Sequence, residues 1–204
     1  MNASAGSSSQ AQAQEAAVLR RARLGDLDAF NSLVDLHQRA VYNLCLRMLG
    51  SAAVAEDATQ EAFLSAYRHI AACKGDRFRP WMLRIAANAC SDELRRRRRR
   101  PALSLDEPRR PDEPPLDPAD PAPGPESETL RAEQRRLIAA ALLRLPEDQR
   151  LAVILCDVQG CSYDEIAEAT RASLGTVKSR IARGREKLRR ALTAAGTIGG
   201  APAS

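Results

Sequence analysis

Proline content divides this chain more sharply than any other feature of its sequence. Nine of the 12 prolines fall between Pro101 and Glu128, where they are mixed with aspartate and glutamate. Proline fixes φ and lacks an amide donor, so neither a helix nor a central strand continues through such a segment. Residues 101–128 are therefore predicted to form a flexible acidic linker, which spans roughly 85 to 100 Å when extended.

The linker separates two segments, residues 15–100 and 129–192. A chain of 204 residues can hold two small domains, and each segment is predicted to be one of them. Residues 1–14 and 193–204 are small and polar, and they offer too little apolar surface to bury. Both ends are therefore predicted to be disordered tails.

Both domains are predicted to be helical. Apolar residues recur at steps of three and four from Phe30 to Met48, which predicts a helix that ends at Gly50. A second amphipathic helix is predicted from Ala52 to about residue 70, and Pro80 suits the first turn of a third. Six of the seven aromatic residues precede residue 82, so the second domain must pack on aliphatic side chains, which favours short helices over a β core. The predicted fold class is all-α.

Residue content argues against several classes of site. The five cysteines include no C-x-x-C pair and the histidines number two, so no metal, cofactor or disulfide framework is predicted. Buried reduced thiols are the simplest interpretation, although the spacing of Cys156 and Cys161 leaves a redox role open. The absence of a glycine-rich phosphate loop and of an H-E-x-x-H motif argues against an enzyme. No segment approaches the roughly 20 apolar residues of a membrane span, so a cytoplasmic protein is expected.

Charge is distributed in three blocks. Basic residues number 16 against 10 acidic ones up to Arg100, 2 against 8 in the linker, and 13 against 8 beyond it. Basic domains are typical of proteins that bind polyanions, but a modest arginine excess is also typical of a solubilising surface. The six consecutive arginines Arg95–Arg100 favour a phosphate partner over a merely solvated helix end, because like charges repel one another.

The most informative motif lies in the last third of the chain, in SYDEIAEATRASLGTVKSRIARGREKLRRAL. Ser162 and Glu165 have the spacing of a capping box, and a turn through Thr170–Ser173 leads to a second helix. From Arg171 to Arg190 there are eight basic residues and one acidic residue. The major groove accommodates a helix of this kind, so the pattern predicts a recognition helix. The alternative is a basic surface helix in a generic bundle.

Three segments together resemble the extracytoplasmic-function sigma factors, in that family's order. The family's core-polymerase-binding helix is matched by AEDATQEAFLSAYR, its −10 element helix by FRPWMLRIAANACSDELRRRR, and its −35 domain by LPEDQRLAVILCDVQGCSYDEIAEATRASLGTVKSRIARGREKLRRAL. The resemblance implies a protein that gives RNA polymerase its promoter specificity and performs no chemistry itself. It implies the polymerase core (β′ and β subunits), promoter DNA and an anti-sigma factor as partners, with no cofactor and no membrane insertion.

The resemblance also assigns roles by position. Asp57, Gln60 and Glu61 share one side of a helix and would contact the coiled coil of the polymerase β′ subunit, a solvated helix face being the alternative. The loop from residue 73 to 78 would accept a flipped base, and Trp81 is expected to be structural. The DNA-binding residues implied at −10 are Lys74, Arg77, Arg84, Asn88 and Arg95. Those implied at −35 are Arg171, Thr176, Lys178, Ser179, Arg180, Ala182, Arg183 and Arg185.

One position departs from the family's pattern, which often has glycine where Arg171 stands. A non-glycine residue in a left-handed conformation costs on the order of 1 kcal/mol. Either the turn differs or Arg171 offsets the cost with a phosphate contact. A stand-alone helix-turn-helix regulator is the alternative function, and it explains the second domain but not the acidic helix face, the arginine run or the linker.

Overall fold

The computed structural model describes residues 3–99 and 125–195. These residues form eight α-helices and no strand, which confirms the all-α fold class. The helices are α1 Ala3–Arg23, α2 Leu27–Leu49, α3 Ala52–Arg68, α4 Phe78–Arg99, α5 Pro125–Leu143, α6 Glu147–Val153, α7 Tyr163–Thr170 and α8 Leu174–Ala194. A 3₁₀ turn, Ile70–Ala72, follows α3, and a π-helical turn, Ile154–Val158, follows α6. We call α1–α4 the first lobe and α5–α8 the second lobe.

In the first lobe, α2 is the central helix, and its ends are defined by local chemistry. Asp26 caps its start, where Oδ1 accepts a hydrogen bond from the Ala29 amide at 3.0 Å. Gly50 ends it in a left-handed conformation with φ of 72°, as the sequence predicts. The apolar stripe that includes Leu33 and Leu44 is buried against α3 and α4, so three helices share one core.

The start of the chain differs from the prediction of a disordered tail over residues 1–14. In the structure, α1 begins at Ala3 and ends at Arg23, and it packs against α2 and α4. Alanine, which with serine is the commonest residue of its first half, has high helix propensity, as glutamine does. Leu19, which is fully buried, and Ala16 attach the second half of α1 to the core. The short apolar stripe explains why hydrophobic periodicity alone does not predict this helix.

His37 fastens α1 to α2. Its ring is buried, and Nε2 lies 3.2 Å from Oε1 of Glu15. The hydrogen bond with His37 is the main reason why the pKa of Glu15 is lowered. The His37 ring also contacts Phe78, with ring centroids 5.4 Å apart, so this pair lies where α1, α2 and the start of α4 meet.

The second lobe packs α5, α6 and α7 around α8. Ile166 on α7 and Val177 on α8 are fully buried in its core. Gly184 allows α8 to approach α6 closely, because a Cβ at this position would lie 2.6 Å from Cγ2 of Val153 and 3.2 Å from the carbonyl oxygen of Gln149. Glycine is therefore required at this helix crossing.

The helices of the second lobe extend beyond the predicted domain at both ends. α5 begins at Pro125, so residues 125–128 are helical and not linker. Proline at the first helical position is favourable, which a count of prolines alone overlooks. α8 continues to Ala194, two residues into the predicted tail. Residues 100–124 and 196–204, the remainder of the predicted linker and tail, lie outside the described residues.

The two lobes pack against each other and share one hydrophobic core. Arg150 of α6 lies in this contact and is buried. Its guanidinium donates to the carbonyl oxygen of Met48 at the end of α2 at 2.5 Å, and to those of Leu143 and Leu145 at 2.7 and 3.0 Å. Burial lowers the pKa of Arg150, and these carbonyls offset part of the cost of burying its charge.

Candidate nucleic-acid interface

α7 and α8 form a helix-turn-helix whose caps confirm the prediction from the sequence. Oγ of Ser162 accepts a hydrogen bond from the Glu165 amide at 3.2 Å, and Oε2 of Glu165 accepts one from the Ser162 amide at 2.8 Å. Ser173 caps α8 by accepting a hydrogen bond from the Thr176 amide at 3.2 Å. Each cap satisfies amides that a helix leaves without an internal partner, and the turn between the two helices is therefore sharply defined.

The predicted recognition face lies on the outer side of α8. Val177 and Ile181 point into the core, whereas Lys178, Ala182 and Arg183 are exposed. Three further predicted residues on or near this face are half-buried, namely Thr176, Ser179 and Arg180. Arg183 is held against its own helix, since Nη2 donates to Oγ of Ser179 at 3.0 Å. The face thus presents two cations beside small side chains, which suits a groove of DNA.

Two of the predicted −35 residues pair with carboxylates of their own lobe. Nε of Arg180 lies 3.0 Å from Oδ2 of Asp148 at the start of α6. Arg185 binds Asp157 through both Nε and Nη2, and this hydrogen bonding is the main reason why the pKa of Arg185 is raised. These pairs are not predictable from local sequence patterns, because their partners are 32 and 28 positions apart. To contact a DNA phosphate, either arginine must release its carboxylate partner or bind the carboxylate and the phosphate together.

Arg171 adopts the left-handed conformation that the family's glycine would favour. Its φ and ψ are 52° and 37°, and it is exposed at the end of α7. The turn therefore has a left-handed residue at this position although the side chain there is not that of glycine. The side chain extends from the loop that precedes the recognition helix, where a cation can meet a DNA phosphate.

Replacing Arg171 with glycine is expected to stabilise the protein and weaken its binding to DNA. Relief of left-handed strain contributes roughly 1 to 2 kcal/mol, and the extra unfolded-state entropy of glycine removes roughly 0.5 to 1 kcal/mol of that gain. Urea unfolding and −35 duplex binding are the measurements. Arg171→Ala is the matched control, because it removes the guanidinium and keeps the strained backbone. Equal unfolding free energies for the glycine and alanine variants would contradict the strain argument.

The predicted −10 residues lie on α4 and on the loop before it. Arg84 is half-buried and Asn88 and Arg95 are exposed, along one side of α4. Lys74 and Arg77 are exposed on the loop, and with Arg84 they line a cleft of ≈ 420 Å³. The structure thus brings three of the five predicted residues together at one cleft, with Asn88 and Arg95 further along the helix.

Trp81 is half-buried and packs at a tilt against the buried ring of Phe78, with centroids 5.7 Å apart. It also lines the cleft that Arg84 and the loop form. Phe78 is fully buried at the start of α4, directly after the loop. Trp81 therefore has one side in the core, as expected of a structural residue, and one side open to the cleft.

The arginine run at the end of α4 is partly neutralised within its own helix. Glu93 binds Arg96 at 2.7 Å and Arg97 at 2.9 Å, while Asp92 lies 3.4 Å from Arg95. Partial burial acts to raise the pKa of Glu93, but the hydrogen bonds from the two arginines outweigh it, and the pKa is lowered. Pairing at i+3 and i+4 spacing explains how one helix end tolerates so many like charges.

The predicted polymerase-binding residues share one exposed side of α3. Asp57, Gln60 and Glu61 are all exposed, and Leu64, one turn further, is 51% exposed. Asp57 and Glu61 also line a groove of ≈ 570 Å³ between α3 and α4, opposite Arg96. Two carboxylates, an amide and an apolar side chain therefore lie together on one exposed side of α3, and the carboxylates would repel DNA phosphates.

The described residues also bear on the thiols. All five cysteines are free, and Cys45 and Cys90 lie together in the core of the first lobe. The hydrogen bond with Cys45 is the main reason why the pKa of Cys90 is raised.

Within residues 3–99 and 125–195 there is no group of three or more metal-binding side chains, and none of the helices there is long and apolar enough to cross a membrane.

Comparisons with known proteins agree with this geometry. The Sigma-70 region 2 family matches residues 33–100, and the Sigma-70 region 4 family matches residues 135–188. The ECF RNA polymerase sigma factor SigE of Mycolicibacterium smegmatis is 39% identical over 165 residues, which are 80% of this chain and 61% of SigE. SigW of Bacillus subtilis is 36% identical over 178 residues, which are 85% of this chain and 94% of SigW.

A likeness to a solved structure concerns the fold alone. The sigma factor RpoE of Bartonella quintana, solved with the anti-sigma factor NepR, has a TM-score of 0.65 and 22% identity, over 82% of this chain and 98% of RpoE. The two family matches and the helix-turn-helix define a two-lobe, all-helical transcription protein. It belongs to the sigma-70 family, and within that family to the extracytoplasmic-function sigma factors, which act in transcription initiation.

Proposed function

We propose that this sigma factor binds core RNA polymerase through the exposed side of α3. The observation that carries the proposal is that Asp57, Gln60 and Glu61 are exposed together, on a helix whose opposite side is buried in the first lobe. Two carboxylates at this spacing suit a basic partner. The relatives SigE and SigW are both named as ECF RNA polymerase sigma factors, which supports the same partner for this chain.

The −10 element is proposed to bind at α4 and the preceding loop. Lys74, Arg77 and Arg84 surround a cleft whose floor includes Trp81, so a single strand can place its phosphates on cations and a base in the cleft. Asn88 and Arg95 extend the same path along α4.

The −35 element is proposed to bind at α8. Lys178 and Arg183, with Thr176, Ser179 and Ala182 beside them, would face base edges in the major groove. Arg171, Arg180 and Arg185 would contact phosphates. The half-buried Ser179 positions Arg183 through the hydrogen bond of 3.0 Å, which lowers the entropy lost when Arg183 binds a base.

In this proposal the polymerase performs the chemistry and the sigma factor supplies binding and strand separation only. Its site of action is the cytoplasm, where polymerase and promoter DNA meet. An anti-sigma factor is a further proposed partner, since the fold resembles that of a sigma factor solved with one. The test is transcription from a genomic promoter library by purified core polymerase with and without this protein. Specific transcripts are expected only when both are present.

Residues 100–124 are proposed to act through length and not through sequence. A Gly/Ser chain in place of residues 108–124 is expected to preserve promoter output within a few fold, because an acidic proline-rich segment has little to bury. Deleting the same residues is the contrasting variant. It reduces the reach of the segment from at most about 90 Å to about 30 Å, and promoter output should be lost. Loss of output in the Gly/Ser variant would instead indicate a specific site in the linker.

A further inference from the structure

One side of α1 packs against the loop that joins the 3₁₀ turn to α4, residues 73–78, which we call the −10 loop. Glu15, Leu19 and Arg23 follow one another at steps of four residues, so they lie along the same side of α1. Leu19 is fully buried and attaches α1 to the core, whereas the other two side chains reach the −10 loop. All three precede residue 33, where the match to the Sigma-70 region 2 family begins.

Arg23 holds the first half of the −10 loop. Its Nη2 donates a hydrogen bond to the carbonyl oxygen of Gly75. The same guanidinium donates to the sulfur of Cys73, which is buried. Charged donors form stronger hydrogen bonds than neutral ones, and two bonds from one planar group fix the backbone between their acceptors. Arg23 therefore determines the path of the chain from Cys73 to Gly75.

The conformation of Gly75 suits this contact. Its φ is 74°, in the left-handed region that favours glycine. A Cβ at this position would meet no atom within 4 Å, so the backbone conformation, and not a lack of space, requires glycine there. The chain bends at residues 75 and 76. Arg23 thus holds the −10 loop at its bend.

Glu15 holds the other end of the −10 loop. Its carboxylate accepts a hydrogen bond from the amide of Phe78, the first residue of α4. The first amides of a helix have no partner within the helix, and the helix dipole favours a carboxylate beside them. His37 of α2 fixes the same carboxylate, with Nε2 3.2 Å from Oε1. α1 therefore contacts the loop at two points, which are roughly 12 Å apart along its axis at about 1.5 Å per residue.

These two contacts lie outside the cleft in which the −10 strand is proposed to bind. Among the described residues, the loop side chains that line this cleft are Lys74, Asp76 and Arg77, and neither Glu15 nor Arg23 lines it. The proposed DNA-binding cations thus face the cleft while α1 holds the backbone that carries them. A substitution in α1 can alter contacts within the cleft only through the shape of the loop and through general electrostatics.

We propose that α1 is a positioning element for recognition of the −10 base, and that Arg23 and Glu15 hold the −10 loop in the shape that receives an unstacked base. The proposal rests on the proposed −10 role of the cleft. A loop that has its binding shape before DNA arrives loses less entropy on binding than a loop that must first be ordered. Preference for a base depends on this shape, whereas attraction of phosphates depends mainly on charge.

Arg23→Met removes both hydrogen bonds of the guanidinium and retains an unbranched side chain. The full chain is bound to core polymerase, and its affinity is measured for a fork-junction probe made from a promoter that this holoenzyme transcribes. The matched probe has an abasic site at the −10 position where the wild type is most sensitive to loss of the base. Arg23→Met should lower the preference for the intact probe by roughly five- to tenfold, as when the fraction of loops in the binding shape falls from nearly all to about a tenth or a fifth. Affinity for the abasic probe should change little.

A second measurement reports on the loop without DNA. Trp81 is the only tryptophan of this chain, and it lines the same cleft as the loop. Acrylamide quenching of its fluorescence in the free full chain should increase in Arg23→Met, because a loosened loop leaves the ring more accessible. This measurement tests the hold of α1 on the loop independently of any role in promoter binding.

Two further variants control for charge and for side-chain chemistry. Arg21→Met removes the same charge from an exposed position of α1, where Arg21 pairs with Asp26 and not with the −10 loop, and it should leave both measurements near wild type. Arg23→Lys keeps the charge and a donor, and it should retain most of the base preference. Circular dichroism verifies the fold of each variant. If Arg23→Met is unfolded, Gly75→Ala replaces it, since the added Cβ meets open space and only the left-handed backbone is disfavoured.

The outcomes separate this proposal from the proposed function. Unchanged base preference in Arg23→Met overturns the positioning role, as does unchanged quenching of Trp81. An equal loss of affinity for both probes also overturns it, because that loss reflects charge and not shape. The −10 role is judged by Lys74→Ala combined with Arg77→Ala. Unchanged affinity of that variant for the intact probe rejects the −10 role and the positioning role with it, whereas reduced affinity there, beside a normal Arg23→Met, rejects the positioning role alone.

Discussion

The charge-reversed variant Asp57→Arg, Glu61→Arg is expected to abolish promoter melting by the polymerase and sigma factor together. Strand separation costs about 1.4 kcal/mol for each stacking step, which is more than one small lobe supplies without the polymerase. Because the two carboxylates lie on the exposed side of α3, their reversal creates repulsion toward a basic partner and leaves the buried side of α3 unchanged. Permanganate footprinting at a cognate promoter is the measurement.

Reactive thymines near −10 should appear with wild-type protein plus core polymerase, and with neither component alone. Asp28→Arg, Asp35→Arg is the matched control, since it makes the same change in charge at exposed positions of α2. The control should melt the promoter normally. Full melting by the α3 variant, or melting by the wild-type protein without polymerase, would reject the polymerase-binding role of α3 and favour an independent DNA-binding regulator.

The second large effect is expected at the recognition helix. Lys178→Ala and Arg183→Ala should each weaken binding to a selected −35 duplex by roughly 1 to 3 kcal/mol, because each removes a donor to a base edge. Both side chains are exposed on α8, so their truncation should leave the fold intact. Binding is measured with the full chain in complex with core polymerase, on promoters that differ only in the −35 element.

Arg144→Ala removes one positive charge from an exposed position at the end of the second lobe's α5 and serves as the control. It should alter binding to all sequences slightly and equally, through general electrostatics. The two α8 variants should instead lose discrimination between −35 sequences. Unchanged affinity and unchanged discrimination in both variants would show that another surface reads the −35 element.

Features that depend on local chemistry were predictable from the sequence. The end of α2 at Gly50, the capping box of Ser162 and Glu165, and the start of α8 at Ser173 all follow from hydrogen bonds between residues at most four positions apart. The helix-turn-helix and its exposed basic face follow from these caps and from hydrophobic periodicity. The local sequence pattern predicts these features correctly because tertiary packing favours the same helices and turns.

Features that depend on distant residues were not predictable in the same way. Arg150 meets Met48 across 102 positions, and Gln159 meets Ala40 across 119. The residues adjacent to Arg150 and Gln159 in the sequence do not indicate that either is buried. Arginine and glutamine are also mostly exposed in proteins. The packing of the lobes therefore emerges only from the three-dimensional structure.

The buried guanidinium of Arg150 also makes one residue responsible for two separate contacts. One of its acceptors, the carbonyl of Met48, belongs to the first lobe, and the other two belong to the corner between α5 and α6. A variant without the guanidinium leaves all three carbonyls without this donor. Loss of Arg150 is therefore expected to weaken the contact between the lobes and the corner of the second lobe together.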